Sequence, residues 1–589
     1  MKSLTAKFRA SPPAICAALL VLHALLLGWA ALANSATFDE PAHLAAGVEY
    51  WRHGDFSIYS LSPPLLRLWA AVPPLLAGAK APDTLSVQGM PVHDRHWSYA
   101  DGFVYGNYQR FPFFLVIARW GMIPLSCLAG WIVYRWATDL YGAASGLAAL
   151  TLYCLCPSIL GHGSLVTTDI GTSAFIVLAA WLWWRYCRNP SLQRWALVVV
   201  ALVAAHLCKF TALLLWPIMA AMAFPLALHP AARRWLLLFG WIGAGVFTLF
   251  LIDAIYGFQG VGQPLGAVHF YSDSVQNLQR LLPYHFPSPL PTRLIVGIDA
   301  QKFDTQARYT GFLFGVNYPS TVWCFYPVAL LCKLPVSMII LAGWTLFSFI
   351  KRSGRKWASD PAAESSLLEA GLVFFCGVVL LSDLNIGTRY LLPAFPLCII
   401  LMSRLWSTAA SLQFPIGGKL RLARTGLIVL LAMETLWVAP RFLSFINFAF
   451  GGPSNGWWLL TDSDFDWGQS LVDLQVWMKD HSVPRVTLAY FGLVDPRIYG
   501  VDFTPITLPS SDPYVAISSY YLDGKKNRMV VGPLRRVYPD VYYHQALQGE
   551  KPVAVVGNTI FIYHRQDVMD AIATYVRSST QPSTNPAPQ

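Results

Sequence analysis

The residues best suited to chemistry are two adjacent acids, Asp39 and Glu40, in the segment TFDEPAH (37–43). They follow a first hydrophobic stretch, residues 14–33. Carboxylates are costly at a membrane boundary, so the pair indicates a reaction or a bound ligand rather than packing. A carboxylate can take the proton of a hydroxyl group, which makes both acids candidate catalytic residues. The structural alternative is a surface helix that Asp39 caps, with Glu40 and Pro41 in its first turn.

A second candidate site ends the segment CPSILGHGSLVTTD (156–169), at Asp169. Helix capping is again the alternative, because Thr167, Thr168 and Asp169 precede an apolar helix. The predicted topology, however, places this loop on the same outer face of the membrane as Asp39. The meeting of two distant acidic segments on one face favours a function, so Asp169 is the third candidate catalytic residue.

Four basic residues at or within apolar segments are candidate ligands of a phosphate group. Arg119 lies inside the second hydrophobic run, where an arginine costs at least about 2.5–3.5 kcal/mol, so it should face an anion or a polar cavity. Arg67, Lys209 and Arg389 fall at or near outer ends of apolar segments, and snorkelling to lipid headgroups is the alternative for each. Acids and cations on one face suit transfer from a lipid-linked phosphate donor. A base activates the acceptor hydroxyl, and the cations neutralise the departing phosphate.

A metal site is a weaker alternative. His43 follows Asp39 by four residues, which puts both side chains on one helical face. The spacing is similar to H-E-x-x-H, but the first histidine is absent, so a zinc protease is not predicted. A divalent cation shared by Asp39, His43 and distant ligands stays open, and no other cofactor is predicted. The acids of DSDFDWGQ (462–469) alternate but lack the glycine and glutamate of an EF-hand loop, which favours a polar turn.

The composition is that of an integral membrane protein. Of 589 residues, 55% are hydrophobic and 12% are charged, with a mean hydropathy of +0.46, whereas soluble domains are charged at about a quarter of their residues. The net charge of +11 would suggest nucleic acid as the partner of a soluble protein. Here the basic residues concentrate in short segments between apolar runs, which is the positive-inside pattern. No nucleic-acid partner is therefore predicted.

About eleven membrane spans are predicted, since each needs about 20 apolar residues. With the basic segments inside, the N-terminus is cytoplasmic and the C-terminal region lies outside. A cleaved signal peptide, ending at ALANSA (31–36), is the alternative for the first span, but cleavage would leave Asp39 on a frayed terminus. The predicted spans lie near 14–33, 112–135, 143–160, 170–187, 195–208, 210–228, 235–255, 325–350, 367–382, 390–406 and 425–440.

Residues 1–440 are thus predicted to form the membrane domain. Two of its loops, 34–111 and 256–324, lie on the outer face. The first loop contains an interfacial helix from Pro41 to about His53, followed by a proline-containing surface or re-entrant turn, 62–76.

The C-terminal region, residues 441–577, is predicted to be a small α/β domain outside the membrane. Short strand-like runs at Val486–Phe491, Tyr514–Ser518 and Val553–Tyr563 support this prediction. The polar tail, residues 578–589, is predicted to be disordered. The predicted fold class is accordingly an α-helical polytopic membrane protein with a small extracytoplasmic α/β domain.

Four segments resemble the GT-C class of polyprenyl-phosphate-sugar-dependent glycosyltransferases, close to the protein O-mannosyltransferase and aminoarabinose-transferase group. A fifth, DSDFDWGQSL (462–471), is similar to a segment that follows the last span in a bacterial subgroup. The likeness covers most of the chain, weakly between the motifs. The four segments are TFDEPAHLAAGVEYW (37–51), SPPLLRLWAAVP (62–73), CPSILGHGSLVTTD (156–169) and NIGTRYLLPAFP (385–396).

The resemblance implies a role for each candidate residue. Asp39 corresponds to the catalytic base, with Glu40 as its neighbour, and Asp169 has a supporting or acceptor-binding role. Arg119 corresponds to a ligand of the donor phosphate, and Lys209 and Arg389 follow less directly. The resemblance also implies inversion at the sugar carbon. Since loop 256–324 is too short for the inserted β-trefoil domain of protein O-mannosyltransferases, a eukaryotic-type protein acceptor is disfavoured.

The predicted function is therefore a membrane glycosyltransferase with an extracytoplasmic active site in the plasma (inner) membrane. Its partners are a polyprenyl-phosphate sugar donor and a lipid, glycan or protein acceptor. A transporter or flippase of a lipid-linked or anionic substrate is the chief alternative, but it leaves the first-loop acids and the outer domain without a use. An inert scaffold does not explain the convergence of acids and cations on one face.

Overall fold

The protein is described from a computed structural model. The model describes residues 11–580 apart from 84–86, 228–230, 307–310, 351–360, 382–384, 386, 408–416, 507–509, 526, 533–534, 538–542 and 548.

Helices make up most of the chain up to residue 438, and together with their apolar composition they identify an integral membrane protein. One continuous core of buried apolar side chains joins them. They are α1 (Pro12–Ala33), α2 (Glu40–His53), α3 (Leu65–Leu76), α4 (Val92–Gly106), α5 (Phe111–Tyr141), α6 (Ala143–Cys154), α7 (Pro157–His162), α8 (Asp169–Arg188), α9 (Leu192–His206), α10 (Leu215–Ala227), α11 (Ala231–Ile255), α12 (Asp273–Leu281), α13 (Thr292–Gln306), α14 (Phe325–Lys333), α15 (Val336–Ile350), α16 (Pro361–Leu381), α17 (Ala394–Ser403) and α18 (Gly417–Val438).

Fewer helices than predicted have the length and hydropathy of a complete span. Among the described residues, 3 helices meet both criteria, within Pro12–Ala33, Tyr108–Tyr141 and Arg234–Ile255. A fourth arises if α14 and α15 count as one bent span. Several apolar helices are shorter than a membrane requires, α6 and α9 among them. The predicted total of about eleven is therefore not reached by individual helices of full length.

Two predicted segments differ in conformation from the expectation. The apolar run 325–350 is not one span, because α14 and α15 meet at a bend of 118°. Pro335 lies in the break and disfavours a helical conformation for Leu334. The run 62–76, expected as a proline-rich turn, instead forms α3, with Pro73 and Pro74 inside its last turn.

The helix predicted from Pro41 to about His53 is present as α2. It is largely buried and packs on α3 and α4. Gly47 allows the approach, because a Cβ there would lie 2.2 Å from the Arg67 carbonyl oxygen of α3. Together α2 and α3 cover α5 and fix where the chain leaves α1, which is the position of Asp39.

A mixed sheet of five strands organises the region after residue 485. Its strand order is β4-β3-β5-β9-β8, with β3 parallel to β4 and β5, and β9 antiparallel to β5 and β8. All three predicted strand runs fall in this sheet. Two short hairpins lie outside it. In chain order the strands are β1 (Gly311–Leu313), β2 (Val316–Tyr318), β3 (Val486–Ala489), β4 (Phe503–Pro505), β5 (Tyr514–Ser518), β6 (Met529–Gly532), β7 (Arg535–Val537), β8 (Ala554–Val556) and β9 (Ile560–His564).

Both faces of this sheet are covered, as expected where successive side chains point to opposite sides. Val515 and Ile517 of β5 belong to a core that also contains Leu165, from the loop between α7 and α8, and Leu443, from the turn after α18. Ala516 belongs to the opposite core, beneath a helix over Leu471–Asp480. One sheet face therefore packs on the connecting segments at this end of the helices. The region's helices are α19 (Leu471–Asp480), α20 (Ser519–Leu522), α21 (Tyr543–Ala546) and α22 (Arg565–Thr580).

The start of the predicted disordered tail is helical. Residues 578–580 form the end of α22. The remaining tail residues, 581–589, lie outside the described part of the chain.

Candidate active site

A cavity of about 690 Å³ lies between the membrane helices and the C-terminal region. Its size is that of a typical small-molecule site. Among the predicted site residues, five line it: Asp39, His43, Asp169, Lys209 and Arg389. Glu40, Arg67 and Arg119 do not.

Asp39 occupies the residue before α2 but does not cap it. Its side chain makes no capping hydrogen bond. Instead, Arg389 Nη1 donates to Asp39 Oδ2 at 2.9 Å. The Asp39 side chain retains 19% exposure, so a molecule in the cavity can reach it. The structural alternative of a helix cap therefore does not explain this carboxylate.

Asp169 begins α8 and is held by two cations. Lys209 Nζ donates to Asp169 Oδ1 at 2.6 Å, and Arg389 Nη1 lies 3.9 Å from Asp169 Oδ2. Oδ2 is buried and accepts no hydrogen bond within the described structure. The site is thus an alternating chain of charges, in which Arg389 connects Asp39 to Asp169 and Lys209 terminates it.

Breaks between helices bring the two cations to the cavity. Lys209 lies in the break between α9 and α10, and Arg389 lies in a short 3₁₀ turn before α17. The Lys209 ammonium sits 4.4 Å from the Tyr390 ring centroid. The Arg389 guanidinium sits 4.4 Å from the Trp467 ring centroid. The aromatic faces fix both cations by cation–π attraction while leaving polar hydrogens for a ligand.

Asp464, in the C-terminal region, supports the Arg389 turn. Its Oδ1 accepts from the Thr388 backbone N–H and hydroxyl, both at 2.7 Å. The buried Lys333 ammonium donates to the backbone carbonyls of Asp464 and Leu443, at 2.6 and 2.7 Å. Lys333 was not predicted from the sequence; a lysine inside an apolar run was the available signal.

Arg119 and Glu40 form a buried ion pair away from the cavity, which corrects the expectation that Arg119 contacts a donor phosphate. Arg119 is 1% exposed and Glu40 is 0% exposed. Arg119 donates to the two Glu40 carboxylate oxygens at 2.8 and 2.5 Å. Its remaining donors reach the carbonyls of Ala31, Asn34 and Ser35. The anion that Arg119 required is therefore an internal carboxylate.

Glu40 also joins the two acidic segments. Its carboxylate accepts from the Thr37 N–H at 2.9 Å and from the Val166 N–H at 2.9 Å. Burial would raise the pKa of Glu40, but the Arg119 guanidinium lowers it below the ordinary value, so the carboxylate is charged. Glu40 is therefore placed as a positioning residue, which fixes Asp39 next to Asp169, and not as a group that meets substrate.

Arg67 is likewise occupied. It donates to Ser62 Oγ at 2.7 Å and to the Pro63 carbonyl at 3.1 Å, and it stacks 4.2 Å from the Tyr59 ring centroid. These contacts match neither predicted role of Arg67, as a phosphate ligand or as a side chain that snorkels to lipid headgroups. Arg67 instead holds the turn that leads into α3.

His43 lines the cavity but has no partner set for a metal. Its ring stacks on Tyr59 at 4.8 Å, and its buried Nδ1 makes no hydrogen bond within the described structure. Burial, then the nearby Arg67, lowers the pKa of His43 well below the ordinary value, so the imidazole is neutral. Among the described residues, no group of three His, Cys, Asp or Glu side chains is placed to share one ion.

Asp462 adds a further acid to the cavity; it belongs to the segment 462–469, for which a polar turn was predicted. Its backbone is left-handed, with φ at 57°, a conformation that aspartate tolerates better than most residues. Its enclosed position and then the charge of Asp39 raise the pKa of Asp462 to about 6, against the opposing effect of Arg389. Lys525 also lines the cavity. Burial lowers the pKa of Lys525 to about 8, against the opposing effect of the Asp462 and Asp523 charges.

Four aromatic side chains in contact with one another, here called the aromatic wall, line the cavity: Trp97, Phe38, Phe491 and Tyr520. Phe491 stacks on Tyr520 with centroids 3.7 Å apart and planes at 5°. Phe38 stacks on Phe491 at 5.1 Å and meets Trp97 edge-on at 5.1 Å. The wall was not predicted, because its members come from four separate segments of the chain.

Residues 114–256 match the family model for dolichyl-phosphate-mannose-protein mannosyltransferases. The matched stretch contains Asp169 and Lys209 but neither Asp39 nor Arg389. The resemblance to the protein O-mannosyltransferase group, predicted from the motifs, is confirmed over this stretch. The curated proteins give no match to the chain.

Two solved structures are similar at low identity. The oligosaccharyltransferase of Archaeoglobus fulgidus, in complex with Zn and sulfate, is 12% identical, with a TM-score of 0.42 over 86% of this chain and 69% of its own. ArnT from Cupriavidus metallidurans, bound to undecaprenyl phosphate, is 12% identical, with a TM-score of 0.43 over 89% of this chain and 97% of its own. At such scores the likeness carries no argument about this chain.

Proposed function

We propose that this protein is a membrane glycosyltransferase that moves a sugar from a polyprenyl-phosphate-linked donor to an acceptor hydroxyl. The carrying observation is the chain of charges Asp39, Arg389, Asp169 and Lys209 along one cavity. The match to a family of lipid-phosphate-sugar transferases over residues 114–256 supports the donor class. The active site is proposed to lie on the extracytoplasmic side of the plasma membrane.

In this proposal Asp39 is the general base. Its carboxylate takes the proton of the acceptor hydroxyl while the acceptor oxygen bonds to the anomeric carbon of the donor sugar. The bond from that carbon to the phosphate oxygen breaks, and polyprenyl phosphate leaves with the electron pair. Attack opposite the leaving phosphate inverts the configuration. A general acid is unnecessary, since the phosphate leaves as a stabilised anion.

Lys209 and Arg389 are proposed to hold the donor phosphate. Both reach the cavity, and both carry donors whose partners there are carboxylates. A phosphate placed between them would pair with two cations that otherwise pair with Asp39 and Asp169. Asp169 keeps Lys209 in position.

A direct experiment tests the proposal against transport. The full-length protein in nanodiscs is incubated with a panel of polyprenyl-phosphate sugars, and release of polyprenyl phosphate is measured by chromatography. We expect release with at least one donor. Movement of a donor across vesicles with its sugar bond intact, and no release from any donor, would favour a flippase instead.

Arg389→Gln is expected to weaken donor binding by about 10–100-fold, the loss of a charge-assisted hydrogen bond worth roughly 1.5–3 kcal/mol. Arg389→Lys keeps a charge and should recover part of the affinity. Arg485→Gln is the control, because Arg485 pairs with Asp502 at an exposed site outside the cavity. Binding is measured by titration of a polyprenyl-phosphate sugar. Unchanged affinity in Arg389→Gln would remove Arg389 from the phosphate site.

Donor affinity is also expected to rise as pH falls through about 6. Asp462 takes up a proton there, so one negative charge disappears beside Arg389, while the donor phosphodiester stays charged. The gain is at most about tenfold, the factor that one pKa unit of interaction supplies. Asp462→Asn should show the higher affinity already at pH 7 and a flatter profile. If donor affinity rises equally in both proteins as the pH falls, a group other than Asp462 is responsible.

A further inference from the structure

The aromatic wall has no part in the proposed proton transfer or phosphate binding. Phe491 and Tyr520 are 2% and 8% exposed, yet both line the cavity. Both also belong to the buried core that covers one face of the sheet, so the stack packs on that core and borders the cavity at the same time. Around its end at Tyr520 lie Asp462, Lys525 and Asn527. A flat apolar surface bordered by hydrogen-bonding groups is typical of a ligand site.

We propose that the aromatic wall is the acceptor site and that the acceptor is a saccharide, an inference that rests on the proposed function. The face of an aromatic ring carries negative charge density. The C–H bonds on one face of a sugar ring are weakly positive and can lie flat against it. The hydroxyl groups at the ring edge then reach the bordering carboxylate, ammonium and amide groups.

The position of the base distinguishes acceptor from donor. A general base must lie about 2.6–3.2 Å from the hydroxyl oxygen that it deprotonates. Phe38 of the wall immediately precedes Asp39, and both residues line the cavity, so the wall and the base share one cavity. The donor phosphate is held in this proposal by Lys209 and Arg389, and Arg389 also donates to Asp39. The donor sugar then lies between the phosphate and the wall.

The bordering groups favour a saccharide over a lipid chain or a peptide. A lipid chain would bring no hydrogen-bonding groups to the part of the cavity that Asp462, Lys525 and Asn527 line. An extended peptide typically adds to the edge of a sheet. None of the described residues that line the cavity belongs to β4 or β8, the edge strands of the five-stranded sheet; Asn317, of the short hairpin β1–β2, is the one strand residue among them. Hydroxyl groups both donate and accept, so a saccharide suits all three bordering side chains.

Saturation-transfer NMR with full-length protein in nanodiscs tests the inference. The probes are free mannotetraose, maltotetraose and chitotetraose, together with an octapeptide of alternating alanine and threonine. We expect a signal from at least one tetrasaccharide. Tyr520→Leu should lower its affinity roughly 3- to 10-fold, the worth of one aromatic contact. Tyr520→Phe keeps the ring and should retain most of the affinity.

Trp458→Leu is the matched control, since Trp458 is an exposed aromatic residue of the C-terminal region outside the cavity. It should leave the saccharide signal unchanged. A lipid-anchored form of the bound tetrasaccharide in the same nanodiscs distinguishes a membrane glycolipid from a free glycan by its tighter binding. Absence of signal from every tetrasaccharide, equal signal in Tyr520→Leu, or binding of the peptide in their place would overturn the inference.

Donor cleavage with water as acceptor, measured in the unsubstituted protein, separates this inference from the proposed function. Cleavage without saccharide binding counts against the acceptor site alone. Failure of cleavage with every donor counts against the transferase, and a saccharide bound to such a protein is not an acceptor.

Discussion

Asp39→Asn is expected to lower the rate of sugar transfer by about 10²–10⁴-fold, the usual contribution of a general base. The substitution removes the proton-accepting charge and keeps an oxygen that can accept from Arg389 Nη1, now 2.9 Å from Asp39 Oδ2. The fold and the phosphate site should therefore persist. The measurement is release of polyprenyl phosphate at saturating donor, with donor affinity determined separately.

Asp502→Asn provides the control for this loss, because Asp502 is an exposed acid paired with Arg485. It should transfer sugar at the normal rate. Normal transfer by Asp39→Asn would remove Asp39 as the base, whereas loss of donor affinity without a slower reaction would make Asp39 part of the binding site.

The second large effect is on stability. Arg119→Met should destabilise the protein by about 3–5 kcal/mol, the cost of leaving a buried charge without its partner. Glu40 is 0% exposed, so its carboxylate cannot recover this loss from water. Thermal unfolding in detergent measures the effect, together with the double variant Glu40→Gln/Arg119→Met. The double variant should be less destabilised than the sum of the two single variants.

The same variants separate positioning from donor binding. As a phosphate ligand, Arg119 would give a variant of normal stability with weak donor affinity. As the buried partner of Glu40, Arg119 would instead give an unstable variant, and the fraction that remains folded would still bind donor. A thermally normal Arg119→Met protein that has lost the donor would restore the role predicted from the sequence.

The sequence predicted much of the charged site because depth and charge constrain each residue separately. Asp39, Asp169, Lys209 and Arg389 each lie at an end of an apolar segment, and the basic segments place those ends on one face. The helical membrane class follows from composition, and β5 and β9 follow from short β-branched runs. Such features are local, so the surrounding fold is not needed to recognise them.

The predictions from the sequence failed where they depended on distant contact partners or on a break within an apolar helix. The depth of Arg119 required an anion, but nothing local distinguished a bound phosphate from Glu40, which is 79 residues away. The run 325–350 is apolar apart from Lys333, and Pro335 marked the bend within it. The aromatic wall joins positions 38, 97, 491 and 520. Contacts between such distant positions are set by the packing of the sheet on the helices, which no local pattern describes.

The hydrogen bonds from Thr388 to Asp464 have a consequence for engineering. A chimera joined at residue 441 would seem to exchange only an outer module. It would also discard the acid that braces the arginine turn, and with it the grip on the lipid carrier. Grafts that aim to change the acceptor must therefore retain residues 462–469 of the host, because the Arg389 turn depends on contacts from both sides of residue 441.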